Sequence, residues 1–98
     1  MNSQFNNLDH ERGTLRLLLI LYLSEEELTR NVLREKLQEH GVGKTAFYSS
    51  LNTCLSLNLI TEKRIQQDNA SIKTTQLTKK GIKIGQTIKL LHEQLETN

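Results

Sequence analysis

Cysteine is nearly absent from this chain. Its single copy, Cys54, excludes an internal disulfide framework and fits a reducing compartment. With no second cysteine, and with His10, His40 and His92 far apart, no zinc-ligand spacing exists. Aromatic residues are scarce as well: Phe5, Tyr22, Phe47 and Tyr48 are the full set, so a core has to be built from Leu and Ile. No apolar run approaches the roughly 18 residues that span a bilayer. Met1 to Asp9 is polar and lacks the basic-then-apolar pattern of a secretory leader, which predicts a cytoplasmic protein with no membrane partner. There is no carboxylate pair, nucleophile–base set or metal cluster to nominate for catalysis, so the chain reads as a non-enzyme with no cofactor.

What remains is an ordinary globular composition, 36% hydrophobic and 24% charged, in 98 residues: one domain with one core. The formal net charge of +2 is unevenly placed. Residues 1–40 hold seven acids against five bases, and residues 41–98 hold four acids against eight bases. Clustered Lys and Arg release counterions from phosphates, so the second half suits a polyanion.

After a polar arm over residues 1–13, TLRLLLILYL at 14–23 predicts a helix that is apolar nearly all round. Such a helix is buried on more than one side. In a chain this short, its second side is expected to meet another subunit through residues such as Leu17 and Leu21. Ser24-Glu25-Glu26-Glu27 holds the connection in water. Thr29 is a suitable N-cap for a helix reaching about His40, with Leu33 and Leu37 inward and Leu28 or Val32 completing the stripe. Gly41 stands where an αL cap is usual, and Val42 plugs the turn.

A third helix over about 44–57 puts Phe47, Leu51, Cys54 and Leu55 inward and Lys44, Thr45, Tyr48, Ser49, Asn52 and Thr53 outward. Cys54 is spaced as a core residue. Period-2 segments at 59–66 and 71–77 flank Gln67-Asp68-Asn69-Ala70, which has turn chemistry, and together they predict a β-hairpin. Thr78 caps a terminal helix in which Leu77, Gly81, Ile84, Ile88, Leu91 and Leu95 follow heptad steps. Gly81 within that seam costs about 1 kcal/mol against Ala and points to a close helix crossing. A terminal helix with this seam reads as a dimer interface built from Ile84, Ile88, Leu91 and Leu95.

Gly43-Lys44-Thr45 invites a phosphate-loop reading. That motif needs a glycine five residues earlier, where Gln38 stands, and a strand before it. A helix start with its turn glycine is the plainer account.

The order helix, helix, turn, helix, hairpin, terminal helix resembles the winged helix-turn-helix of small prokaryotic and archaeal transcriptional regulators, such as the MarR, ArsR and PadR groups. The likeness is carried by LLLILYL at 17–23, LTRNVLREKL at 28–37, GVGKTAFYSSLNTCLSLNLI at 41–60 and LTKKG at 77–81. It departs at Asn58, where a glycine is frequent, although Asn tolerates positive φ. The implied fold class is α+β, mainly α: a winged helix-turn-helix domain over 14–80 (three helices and a hairpin wing), followed by a dimerisation helix over 81–98.

The implied function is sequence-specific binding of double-stranded DNA by a homodimeric regulator, with the recognition helix in the major groove and the wing beside the backbone. By position, Lys44, Thr45, Tyr48, Ser49 and Asn52 face bases and nearby phosphates. Lys63, Arg64 and Lys73 are wing cations, with Gln66, Gln67 and Asn69 near the tip. Asn and Ser can bond base edges, and Lys and Arg anchor phosphates. Tyr48 has two roles open to it, stacking on the sugar-phosphate backbone or covering the core edge. Further cations, Lys79, Lys80 and Lys83, mark the start of the terminal helix. An effector cannot be named.

Two other readings stand beside this one: a winged helix that binds protein, and an architectural or partition DNA binder. Charge geometry separates the first of these. Convergence of Lys44, Lys63, Arg64 and Lys73 on one face, repeated by a two-fold axis at about one DNA turn, favours DNA, and scatter favours the protein-binding module.

Overall fold

The computed structural model describes residues 13–24 and 26–97. The polar arm, apart from Gly13, and Glu25 of the acidic connection lie outside the described residues. The elements run α1 (Thr14–Leu23), β1 (Leu28–Thr29), α2 (Arg30–Glu39), α3 (Lys44–Ser56), β2 (Ile60–Gln67), β3 (Ala70–Leu77) and α4 (Lys79–Glu96). The three strands form one antiparallel sheet in the order β1-β3-β2. It is a winged helix, with β2 and β3 as the wing.

Local chemistry sets most boundaries. The Thr29 hydroxyl accepts from the Val32 N–H at 3.1 Å and starts α2, and the Thr78 hydroxyl accepts from the Gly81 N–H at 3.0 Å and starts α4. α2 ends in a Schellman motif. The Val42 N–H reaches the Leu37 carbonyl at 3.0 Å, the Gly41 N–H reaches that of Gln38 at 3.0 Å, and Gly41 takes φ 84°. α3 ends the same way, with Leu59 bonded to Cys54 at 2.9 Å, Asn58 bonded to Leu55 at 3.0 Å, and Asn58 at φ 60°. The wing turns on Asp68 (φ 50°) and Asn69 (φ 64°), a two-residue I′ turn that pairs Gln67 with Ala70. β1 is an addition to the expected elements. Its two residues, Leu28 and Thr29, pair with Thr75 and Thr74, too short a run for periodicity to reveal.

α1 is the centre of the molecule, in contact with α2, α3, α4 and β3. Its Leu17, Leu18, Leu19 and Leu21 join Leu33, Leu37, Phe47, Leu51, Cys54, Ile60 and Ile88 in one core. The all-round apolar character of α1 is therefore met within the chain. Leu17 is 0% exposed, Leu21 6% and Ile88 4%, so these three have no surface to offer a second copy, contrary to the interface expected of them. Ile84 (39% exposed) and the half-buried Leu91 and Leu95 keep some.

α4 crosses close over the end of α3. A Cβ on Gly81 would stand 2.0 Å from the Leu59 carbonyl oxygen, and one on Gly85 would stand 2.9 Å from the Tyr22 Cβ. The Thr78 hydroxyl donates to the Asn58 carbonyl at 2.7 Å, and Lys80 Nζ donates to that of Leu57 at 3.2 Å. The exposed carbonyls at the end of α3 are thus covered by the start of α4. No helix among the described residues is long and apolar enough to cross a membrane.

Candidate nucleic-acid interface

The outward side of α3 is as the spacing predicts. Lys44, Thr45, Ser49 and Asn52 are exposed, whereas Phe47 and Leu51 anchor the helix from below. Tyr48 is half-buried and packs against the core, its ring edge-on to Phe47 with centroids 5.0 Å apart. Of its two open roles, covering the core edge is filled within the chain. The inward side also holds Ser50, which accepts a hydrogen bond from the Thr14 hydroxyl at 3.1 Å.

The wing cations divide. Strand side chains alternate between faces, so neighbours Lys63 and Arg64 point opposite ways. Arg64 stands directly across from Lys73, and Lys63 stands across from Thr74. Lys63 Nζ is 3.1 Å from Glu27 Oε1, and Thr74 donates to the other oxygen of that carboxylate at 2.8 Å. These two bonds, from Thr74 first and Lys63 second, hold the Glu27 carboxyl below its ordinary pKa. Lys63 is thus paired with a carboxylate on the face of the hairpin opposite Arg64 and Lys73. Convergence of all four predicted cations fails there, for a reason the period of a strand already contains. Gln67 and Asn69 lie exposed at the wing tip, beside the acidic Asp68.

Two concavities collect the remaining cations. One, of 290 Å³, lies between the start of α2 and the wing. Among the described residues it is lined by Thr29, Arg30, Asn31, Arg64, Ser71, Ile72 and Lys73. The second, of 190 Å³, sits at the turn between α2 and α3, lined by Arg34, Gln38, Val42, Gly43 and Lys44. Among the described residues neither lining includes a carboxylate, and every polar side chain in both can donate a hydrogen bond. Arg30, Arg34 and Gln38 follow one another at four-residue steps along α2 and so share a face that links the two clefts over about 12 Å.

Arg30, Asn31 and Arg34 were missed as site residues because the first 40 residues carry net negative charge. The helical spacing of the two arginines was the available signal. A further groove, of 380 Å³, is of another kind. Apolar Leu21, Tyr22, Leu77 and Ile82 line it together with Glu26 and Glu27, whose charges oppose an anion. At the start of α4, Lys79 and Lys83 are exposed, but Lys80 is engaged with the end of α3.

By sequence, no family model and no curated protein matches the chain. By structure, several solved regulators share the fold. A PadR family transcription regulator from Clostridium difficile superposes with TM-score 0.71 at 17% identity, over 86% of this chain and 91% of that one. MepR of Staphylococcus aureus, solved as a complex with DNA, superposes with TM-score 0.67 at 21% identity, over 92% of this chain and 76% of its own. A single-residue mutant of Lactococcus lactis ZitR superposes with TM-score 0.68 at 22% identity, over 84% of this chain. The chain spans about half the length of that protein, 52%. The likeness is one of fold: this chain is a winged helix of the kind seen in these transcription regulators.

Proposed function

We propose that the chain binds double-stranded DNA in a sequence-specific manner as a dimeric transcriptional regulator. In this reading α3 lies in the major groove, with Thr45, Ser49 and Asn52 reading base edges and Lys44 at its start on a phosphate. Arg64 and Lys73 grip the backbone from the wing, and Gln67 and Asn69 lie near the minor groove. The observation that carries the reading is the pair of clefts at the two ends of α2, whose described linings hold cations and hydrogen-bond donors and no carboxylate. A polyanion needs cations and donors without carboxylates among them, and a protein-binding winged helix has no such requirement. MepR, which shares the fold, supports it as a protein solved with DNA bound. The reading carries a cytoplasmic location with it and calls for no cofactor or catalytic step.

The test is the salt dependence of binding to duplex DNA, followed by fluorescence anisotropy from about 50 to 200 mM salt. Arg64→Ala with Lys73→Ala is expected to weaken binding to all sequences and to reduce the salt slope by about two. Lys63→Ala, by contrast, is expected to leave the slope nearly unchanged, because its side chain stands on the face of the hairpin opposite Arg64 and Lys73. An Arg64/Lys73 double variant with unchanged slope removes the wing from the interface. Selection of bound fragments from genomic DNA at physiological salt then identifies the target and its half-site spacing.

A further inference from the structure

The wing-side cleft contains a third cation whose charge is partly cancelled from behind. Arg30, the first residue of α2, reaches across β3 to Glu62 on β2. Its Nε donates to Glu62 Oε2 at 2.9 Å, and its Nη2 lies 2.6 Å from Oε1 and 2.7 Å from Oε2. Glu62 stands across from Thr75, one step nearer the core than the Arg64–Lys73 pair on the same face of the hairpin. Its side chain is 14% exposed against 28% for Arg30, and Arg30 lines the cleft whereas Glu62 does not. The guanidinium is thus part of the described lining, and the less exposed carboxylate is bonded to it from outside that lining.

A guanidinium has five N–H groups in a planar fork. The Nε and Nη2 groups serve Glu62, and the two on Nη1 are left to offer. Ser71 and Asn31 add neutral donors to the lining, and Arg64 and Lys73 add two further cations from the hairpin. Like charges directly across a strand pair repel. That cost is recovered when an anion sits between them.

We propose that this cleft seats one phosphodiester of the DNA backbone, and that Glu62 holds Arg30 there at reduced charge, attenuating the affinity of the whole interface. The inference rests on the DNA-binding reading above. The pair fixes the guanidinium in place, but viewed from the phosphate it is nearly neutral, so few counterions are released on its account. Removing the carboxylate charge returns a full cation to the cleft. Removing the guanidinium leaves a carboxylate facing a phosphate. Removing both restores the original balance. Glu62 acts through Arg30 and is a positioning residue.

The experiment measures the salt slope of duplex binding for the wild type and for E62Q, R30Q and the R30Q/E62Q double variant, with thermal unfolding to check that each is folded. E62Q keeps the shape of the side chain and one acceptor for Arg30. It is expected to bind more tightly and to steepen the slope by about 0.9, one neutralised phosphate. R30Q is expected to bind more weakly, with a slope shallower by about 0.9. The double variant, in which no charge is left uncompensated, is expected to return to the wild-type slope. E62Q binding no more tightly than wild type overturns the attenuator, as does R30Q with an unchanged slope. If R64A/K73A still lowers the slope in that case, DNA binding stands and only this inference falls. If the wild type does not bind duplex DNA at all, both fall together.

Discussion

Gly81 shows how much one missing side chain decides. The helix that begins at Lys79 passes so close to the end of α3 that a Cβ at position 81 would lie 2.0 Å from the Leu59 carbonyl oxygen. That carbonyl cannot retreat cheaply, because it accepts the Thr78 N–H at 3.0 Å and belongs to the Schellman turn at Asn58. Gly81→Ala is therefore expected to destabilise the fold by about 1–3 kcal/mol, despite the better helix propensity of Ala, read as a lower urea midpoint. An unchanged midpoint would mean that α4 can shift at no cost. His40 makes a second prediction at this scale. Burial first, and then the Arg16 guanidinium, hold its imidazole below the ordinary value of 6.5. The unfolded chain then binds the proton more readily than the folded one, so stability rises with pH through the region just below 6.5 and is flat above it. Acidification from pH 7.5 to about 5 should lower the urea midpoint less in His40→Gln than in the wild type. Equal losses would place the acid sensitivity elsewhere.

Caps and turns at the level of elements are written in short stretches of sequence, and so they were legible. Thr29, Gly41, Asn58 and Thr78 act on backbone groups within a few residues, and each stands where its chemistry predicts. The hairpin register followed from Asp68-Asn69 for the same reason. The charge pattern of the wing was less legible, although its period was available. Lys63 and Arg64 are adjacent in sequence and on opposite faces in a strand, so a cluster of bases in sequence was not a cluster in space. What no local rule could supply was the partner of each. Glu27 reaches Lys63 across 36 positions, and Arg30 reaches Glu62 across 32. The same distance hid the contribution of α2 to the candidate site, whose cations come from a half of the chain that is acidic on balance. The salt-slope experiments on Arg64, Lys73, Arg30 and Glu62 test that assembled face, not any single segment.

For the whole molecule, the terminal helix is where packing within the chain and contact with a second copy draw on the same apolar residues. Heptad spacing serves packing within a chain as well as between chains, because both put one stripe of a helix against another. Here Gly81, Gly85 and Ile88 are spent on the chain's own core, with Gly85 against Tyr22. Ile84 and Leu91 lie along one edge of that stripe and keep accessible surface, and they are our proposed site of contact with a second copy. Ile84→Asp with Leu91→Asp is expected to give monomers by light scattering with the fold retained, whereas Ile88→Asp unfolds the chain by burying a charge. A double variant that remains dimeric would move the interface to another surface, such as that around the exposed Leu23. The sequence by itself determined the elements, their caps and turns, and the order that makes a winged helix, because hydrophobic period and backbone chemistry act over one or two turns. Only the tertiary structure decided which apolar stripes the chain consumes internally and which cations stand together. Both are settled by packing and ion pairs between residues distant in sequence, above all by α1 at the centre and by Arg30 laid over Glu62.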